Sequence, residues 1–97
     1  ALSSAASDVY KRQTEQIKGI DLLFHEATFA KTEVARAKQT MHSTAEQAAT
    51  IARDAQVKRL IIGHFSARYE DEAHLLQEAQ SIFPETILAQ ENMNITL

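Results

Sequence analysis

Hydrophobic and polar positions alternate in period along the chain, and the changes of period mark its elements. "IDLLF" (Ile20–Phe24) is a short, nearly continuous apolar run, the pattern of a strand buried on both faces. "AKTEVARAKQTM" places Ala30, Val34, Ala37 and Met41 at helical spacing. In "STAEQAATIARDA" the alanines Ala45, Ala48, Ala49, Ala52 and Ala55 fall on one helical stripe, and Ser43 with Glu46 three residues on has the spacing of a capping box. "KRLIIG" gives a second buried strand. "DEAHLLQEAQSIFP" gives a helix with Leu75, Leu76, Ala79, Ile82 and Phe83 inward, stopped before Pro84. "TILAQ" and "MNITL" close the pattern as short strands. The expected order is strand, helical excursion, helix, strand, helix, strand, strand: an α/β architecture with at least two parallel strands.

The first thirteen residues, "ALSSAASDVYKRQ", are small, polar and weakly patterned. They read either as a frayed terminus leading into a helix around Tyr10–Lys18 that stops at Gly19, or as a foreign segment. The string resembles translated sequencing-adapter DNA. Residues 1–13 are accordingly set apart as a non-native or disordered segment, and residues 14–97 as the folded part.

Topology turns this pattern into a site. A parallel strand pair needs a crossover helix that runs antiparallel to both strands. If Ala45–Ala55 is that helix, its N-terminus lies at the carboxyl edge of the sheet, where both strands end. "HEATF" (His25–Phe29), "HST" (His42–Thr44) and "GHFSARY" (Gly63–Tyr69) then emerge together, at the edge where open α/β sheets bind ligands. Gly63 is expected to let the backbone turn sharply, and the backbone N–H groups around Ser43–Glu46 to offer an anion-friendly helix start. His74, beside the inward stripe of its helix and more than a full turn beyond the cluster, is left out of it.

Composition narrows the chemistry. With 97 residues the chain is one domain or a piece of one, and no apolar run is long enough to cross a bilayer. Zero cysteines rule out disulfides and Cys-based zinc sites. A net charge of -3 provides no bulk attraction for nucleic acid, so an RNA partner needs a local site or further protein. Four histidines are the main polar resource, suited to metal ligation and to proton transfer near neutral pH.

Each residue also has a structural alternative. His64 at a strand end can be a satisfied structural histidine. His42 can merely precede an N-cap at Ser43. Glu26 can be a solvated charge or cap its own loop, and His25 can pack on the sheet. Arg68 can pair with Glu70 or Asp71, Ser66 can cap a turn, and Tyr69 can pack with its hydroxyl at the rim.

"LLFHEATF", "HSTAEQAATIA" and "GHFSARY", in this order, resemble the C-terminal half of ribonuclease Z, from about Thr14 to Leu97. That family comprises zinc-dependent endonucleases that remove the 3′ trailer from precursor tRNA. They belong to the metallo-β-lactamase superfamily, an αββα sandwich with two zinc ions, are cytoplasmic, and often form homodimers. The resemblance implies His64 as the last histidine metal ligand. It implies His42 as a proton-transfer group and Glu26 as the acid that supports it. Arg68, through its bidentate guanidinium, and Ser43, at the anion-friendly helix start, are the expected substrate-phosphate contacts on their own chemistry. The family's main metal motif, His-x-His-x-Asp-His, does not occur in this sequence, nor does its Gly-Asp-Thr segment; Asp8 lacks that context. The chain alone is therefore expected to be inactive. The competing expectations are another phosphodiesterase of the metallo-β-lactamase fold and a non-catalytic α/β fragment.

Overall fold

The structure, a computed structural model, describes residues 4–67, 69 and 71–89. Arg68 and the expected strand at "MNITL" lie outside the described residues. The elements, in order, are α1 (Ser4–Gln16), β1 (Leu23–Glu26), a 3-10 turn (Lys31–Glu33), α2 (Val34–Gln39), α3 (Ala45–Asp54), β2 (Leu60–Gly63), α4 (Ala73–Ile82) and β3 (Thr86–Leu88).

The three strands form a parallel sheet in the order β1-β2-β3. Leu60, Ile61, Ile62 and Gly63 of the central strand are all buried, as a continuous apolar run between two neighbours should be. Leu60 and Ile62 join the alanine stripe of α3 and Leu75 and Ala79 of α4 in one core. Ala45, Ala48, Ala49, Ala52 and Ala55 are each 0% exposed, so short side chains set how closely α3 approaches the sheet and α4. Leu60, Ile62 and Leu75 are the largest fully buried apolar side chains. Truncating any of them to alanine should cost roughly 2–5 kcal/mol, because a close-packed interior relaxes only in part around the void. The other sheet face carries a cross-strand row, Phe24–Ile61–Ile87, in which Phe24 and Ile87 are exposed.

Four expectations are corrected. The first strand starts at Leu23 rather than Ile20 and runs to Glu26, which makes His25 and Glu26 strand residues. It is also not buried on both faces: β1 is an edge strand, and Phe24 is exposed.

The segment Ala30–Met41, read as helical from its spacing, is not one continuous helix. It breaks into a 3-10 turn and a six-residue helix, in which Ala37 alone is buried while Val34 and Met41 are exposed. Helical spacing by itself does not make one helix: a short segment is held by the packing of its apolar face, and within this helix that packing is limited to Ala37.

The cap of α3 is Thr44, one residue later than expected. Its hydroxyl accepts from the Gln47 backbone N–H at 3.1 Å, and the Gln47 side chain accepts from the Thr44 N–H at 2.9 Å. Both registers fit the capping-box pattern. Thr44 is extended (φ -87, ψ 163), the backbone shape an N-cap needs, and its chain is paired by a parallel bridge to Phe29.

Gly63 lies inside β2 and does not turn left-handed. The left-handed residue is the next one, His64, with φ 59. Gly63 is needed for space: a Cβ there would sit 3.0 Å from the Phe24 ring and 3.1 Å from Ala89 Cβ. Glycine is used for its conformation at Gly19 (φ 73), where the chain leaves α1 and its N–H reaches the Ala55 carbonyl at 2.8 Å.

Candidate functional site at the carboxyl edge of the sheet

β1 and β2 are paired in register, Glu26 opposite Gly63, so both chains leave the sheet side by side. The two exits are stitched together. Ala27 N–H donates to the Gly63 carbonyl at 2.9 Å, and Ser66 N–H to the Thr28 carbonyl at 2.9 Å. The excursion after β1 returns along Phe29, whose carbonyl accepts from Ala45 N–H at 3.0 Å. The two strand exits and the entry to α3 thus meet at one point, and Glu26, His42 and His64 project there.

Each of these three side chains has a donor atom within 4.8 Å of the others. The rings of His42 and His64 have centroids 5.2 Å apart, and Phe29 stands edge-on to His42 at 6.2 Å. His42 and Glu26 are half-buried, and His64 is exposed. His42 Nδ1 lies 3.7 Å from Glu26 Oε2, an ion-pair distance and longer than a hydrogen bond.

Glu26 is the most heavily bonded of the three. Its Oε2 accepts from Thr28 Oγ1 at 2.6 Å and from Thr28 N–H at 3.2 Å, and its Oε1 accepts from the Ser43 N–H. Burial acts to raise its pKa, but the hydrogen bonds from Thr28 and Ser43 outweigh burial and hold it below the usual 4.5. Glu26 therefore ties the β1 exit to the start of α3 as an anion.

The helix start, by contrast, is not an open anion site. The N–H groups of Ser43, Thr44, Ala45 and Gln47 are taken by Glu26, the Gln47 side chain, Phe29 and Thr44 respectively.

His25 does not join the cluster. Its Nδ1 contacts the Glu26 carbonyl at 2.7 Å, a local contact along the strand. Tyr69 packs against the core and its hydroxyl accepts from Ala30 N–H at 2.9 Å, while the His74 ring lies beside it, tilted by 59° with centroids 5.2 Å apart.

The residue that sequence reasoning passed over is Thr28. It is 6% exposed, and its hydroxyl touches Glu26, the His64 ring and the His64 carbonyl. Two of these contacts are with a residue 36 positions away, so the sequence carries no local signal for them.

The donor set can be tested against a metal. Two donors on one zinc, each about 2.1 Å away, cannot be more than about 4.2 Å apart. A grouping that spans up to 4.8 Å is wider than that, and both oxygens of Glu26 are already engaged. A dinuclear centre requires several donors around each ion. Glu26, His42 and His64 are the one such grouping among the described residues. The chain's residues therefore fit one corner of such a centre, with His64 as a single exposed imidazole, and do not fit the whole.

Comparison with known proteins agrees with this partial character. No family model matches the chain. It is 72% identical over 83 residues to ribonuclease Z of Bacteroides thetaiotaomicron, covering 86% of this chain and 26% of that protein. The ribonuclease Z of Phocaeicola vulgatus is 68% identical, with 86% and 27% covered, and that of Porphyromonas gingivalis is 60% identical, with 84% and 27% covered. Among solved structures, human tRNase Z (short form) superposes with a TM-score of 0.68 at 34% identity, over 87% of this chain and 27% of that one. The metallo-β-lactamase fold protein YhfI of Bacillus subtilis superposes with a TM-score of 0.74 at 21% identity, over 89% and 34%, which speaks to the fold alone. The chain spans about a quarter of the length of the curated relatives it matches. By sequence and by fold, this chain corresponds to a segment of ribonuclease Z, with the α/β architecture of the metallo-β-lactamase fold.

Proposed function

We propose that this chain is part of a zinc-dependent endonuclease that removes the 3′ trailer from precursor tRNA. The observation that carries the proposal is the meeting of Glu26, His42 and His64 at one sheet edge, in a chain up to 72% identical to proteins named ribonuclease Z. On this reading the chain alone is inactive, since it lacks His-x-His-x-Asp-His.

Each residue then has a task. His64 contributes one ligand to a metal centre completed by other parts of the whole protein, and its place directly after a buried strand suits a rigid ligand. His42 delivers the proton that the leaving 3′-oxygen needs, and the Glu26 carboxylate 3.7 Å away orients its ring. Ser43, whose N–H faces Glu26, holds that carboxylate in place. Arg68 is the proposed phosphate contact, through its two-pronged guanidinium. The family resemblance further implies a cytoplasmic whole protein, in a family that often forms homodimers. Among the described residues no helix is long and apolar enough to cross a membrane.

The test uses the complete protein and a precursor tRNA carrying a 3′ trailer. Cleavage should require zinc, His64→Ala should abolish it, and His42→Ala should lower kcat by about 10²–10⁴ with little change in KM. Undiminished cleavage by His64→Ala would remove His64 from the metal centre. Hydrolysis of small phosphodiesters without cleavage of precursor tRNA would favour a different phosphodiesterase of the same fold.

A further inference from the structure

We infer that Thr28 is a positioning residue that fixes the tautomer of His64, holding the proton on Nδ1 and leaving the Nε2 lone pair bare for a metal ion. The inference rests on the assignment of His64 as a ligand for its purpose.

The Thr28 hydroxyl has one proton to donate and lone pairs to accept with. Three groups lie within hydrogen-bond reach of its oxygen: Glu26 Oε2 at 2.6 Å, the His64 carbonyl oxygen at 2.9 Å and His64 Nδ1 at 3.0 Å. The first two can only accept. The single proton therefore lies towards them, and the shorter contact to a charged oxygen takes most of it. None is left for Nδ1. A bare Nδ1 would then face oxygen lone pairs at 3.0 Å, which is repulsive, whereas an Nδ1–H makes an ordinary hydrogen bond to Thr28. In the neutral ring, a proton on Nδ1 means none on Nε2.

The resulting chain of donors runs from His64 Nδ1–H to Thr28 Oγ1–H to the Glu26 carboxylate. Its far end is held in turn by Ser43 N–H. A carboxylate that accepts, directly or through a hydroxyl, from the far nitrogen of a ligating imidazole orients the ring and raises its basicity. The backbone supports the same arrangement. His64 is left-handed (φ 59), and this shape brings its carbonyl to the Thr28 hydroxyl while the ring also reaches it. A left-handed non-glycine residue is strained and persists where its surroundings fix it. Thr28 is buried, so little water competes for its hydroxyl.

The test reads the tautomer directly on the 97-residue chain, by long-range proton–nitrogen correlation of the histidine rings at a pH where His64 is neutral. His64 is assigned from the spectrum lost in His64→Ala. The expected spectrum has a protonated Nδ1 and an unprotonated Nε2. Thr28→Val, which keeps the shape but removes the hydroxyl, should move population to the Nε2–H form, and Thr28→Ser should restore the wild-type pattern. In the complete protein, Thr28→Val should bind zinc about 10–100-fold more weakly, with rescue by Thr28→Ser. An Nε2–H ring in the wild type would overturn the inference, even if Thr28→Val fails to fold. An Nδ1–H ring undisturbed in folded Thr28→Val would overturn it too. Neither result depends on tRNA cleavage, so this inference and the proposed function can fail separately.

Discussion

Replacing Glu26 by glutamine isolates the charge that ties the β1 exit to α3. The carboxylate accepts three hydrogen bonds, two from Thr28 on Oε2 and one from Ser43 N–H on Oε1. A carboxamide has one oxygen. If that oxygen keeps the Thr28 pair, its NH₂ faces the Ser43 N–H, donor against donor. One charge-assisted bond is lost outright and the others lose their charge. Bonds to charged groups contribute about 1.5–3 kcal/mol each, and the side chain is 29% exposed, so water relieves part of the loss. The expected cost is about 2 kcal/mol at pH 7. With a urea slope of about 2 kcal/mol/M for a domain this size, the unfolding midpoint should fall by about 1 M. Far-UV circular dichroism is the suitable probe, as the chain has no tryptophan.

The pH series then tests the cause. Glu26 has a lower pKa folded than unfolded, so the unfolded chain takes up its proton first as acid is added. Its contribution is fully present above the ordinary value of 4.5 and is lost as the pH falls through the lowered folded value. The gap between wild type and Glu26→Gln should therefore be widest near neutral pH and close in acid. A midpoint unchanged at pH 7, or a gap that stays constant into acid, would refute the assigned role of the carboxylate.

Further outcomes follow from other contacts. Gly63→Ala should destabilise by about 1–3 kcal/mol through crowding against Phe24 and Ala89, and Phe24→Ala in the same chain should recover part of it, measured as a double-mutant cycle in urea. Thr44→Ala should cost about 0.5–2 kcal/mol by uncapping α3, with Thr44→Ser nearly neutral in thermal unfolding. Tyr10 donates to Asp54 Oδ2 at 2.6 Å, and burial together with that bond pushes its pKa up to about 12. An alkaline ultraviolet titration in a Tyr69→Phe background should show this late ionisation, moved back towards 10.0 by Asp54→Asn. Because the folded value is the higher one, the stabilisation from Tyr10 is intact below the ordinary value and disappears as the pH rises through about 12.

The fold was legible where period and turn chemistry agreed. The apolar run Leu60–Ile62 and the alanine stripe of α3 each allow one placement only, and the parallel crossover then carries His42 and His64 to Glu26 without further information. What was hidden depends on single-residue register. Ser43–Glu46 and Thr44–Gln47 are equally good boxes on paper, and pairing with Phe29 decides between them. "IDLLF" can start a strand at either end, and the neighbouring β2 sets the start at Leu23. Thr28 was missed because its function lies in three contacts, two of them with a residue 36 positions away, which no local pattern announces.

The left-handed backbone at His64 has a genetic consequence. Asparagine and aspartate tolerate that conformation well, and each is one nucleotide change from histidine. Both keep the backbone shape while discarding the imidazole. Spontaneous substitutions at this codon should thus yield proteins that accumulate normally in the cell yet lack the function of the ring. A genetic screen that scores protein abundance would pass them, and a screen that scores activity would not. Position 64 is where the two screens should disagree most.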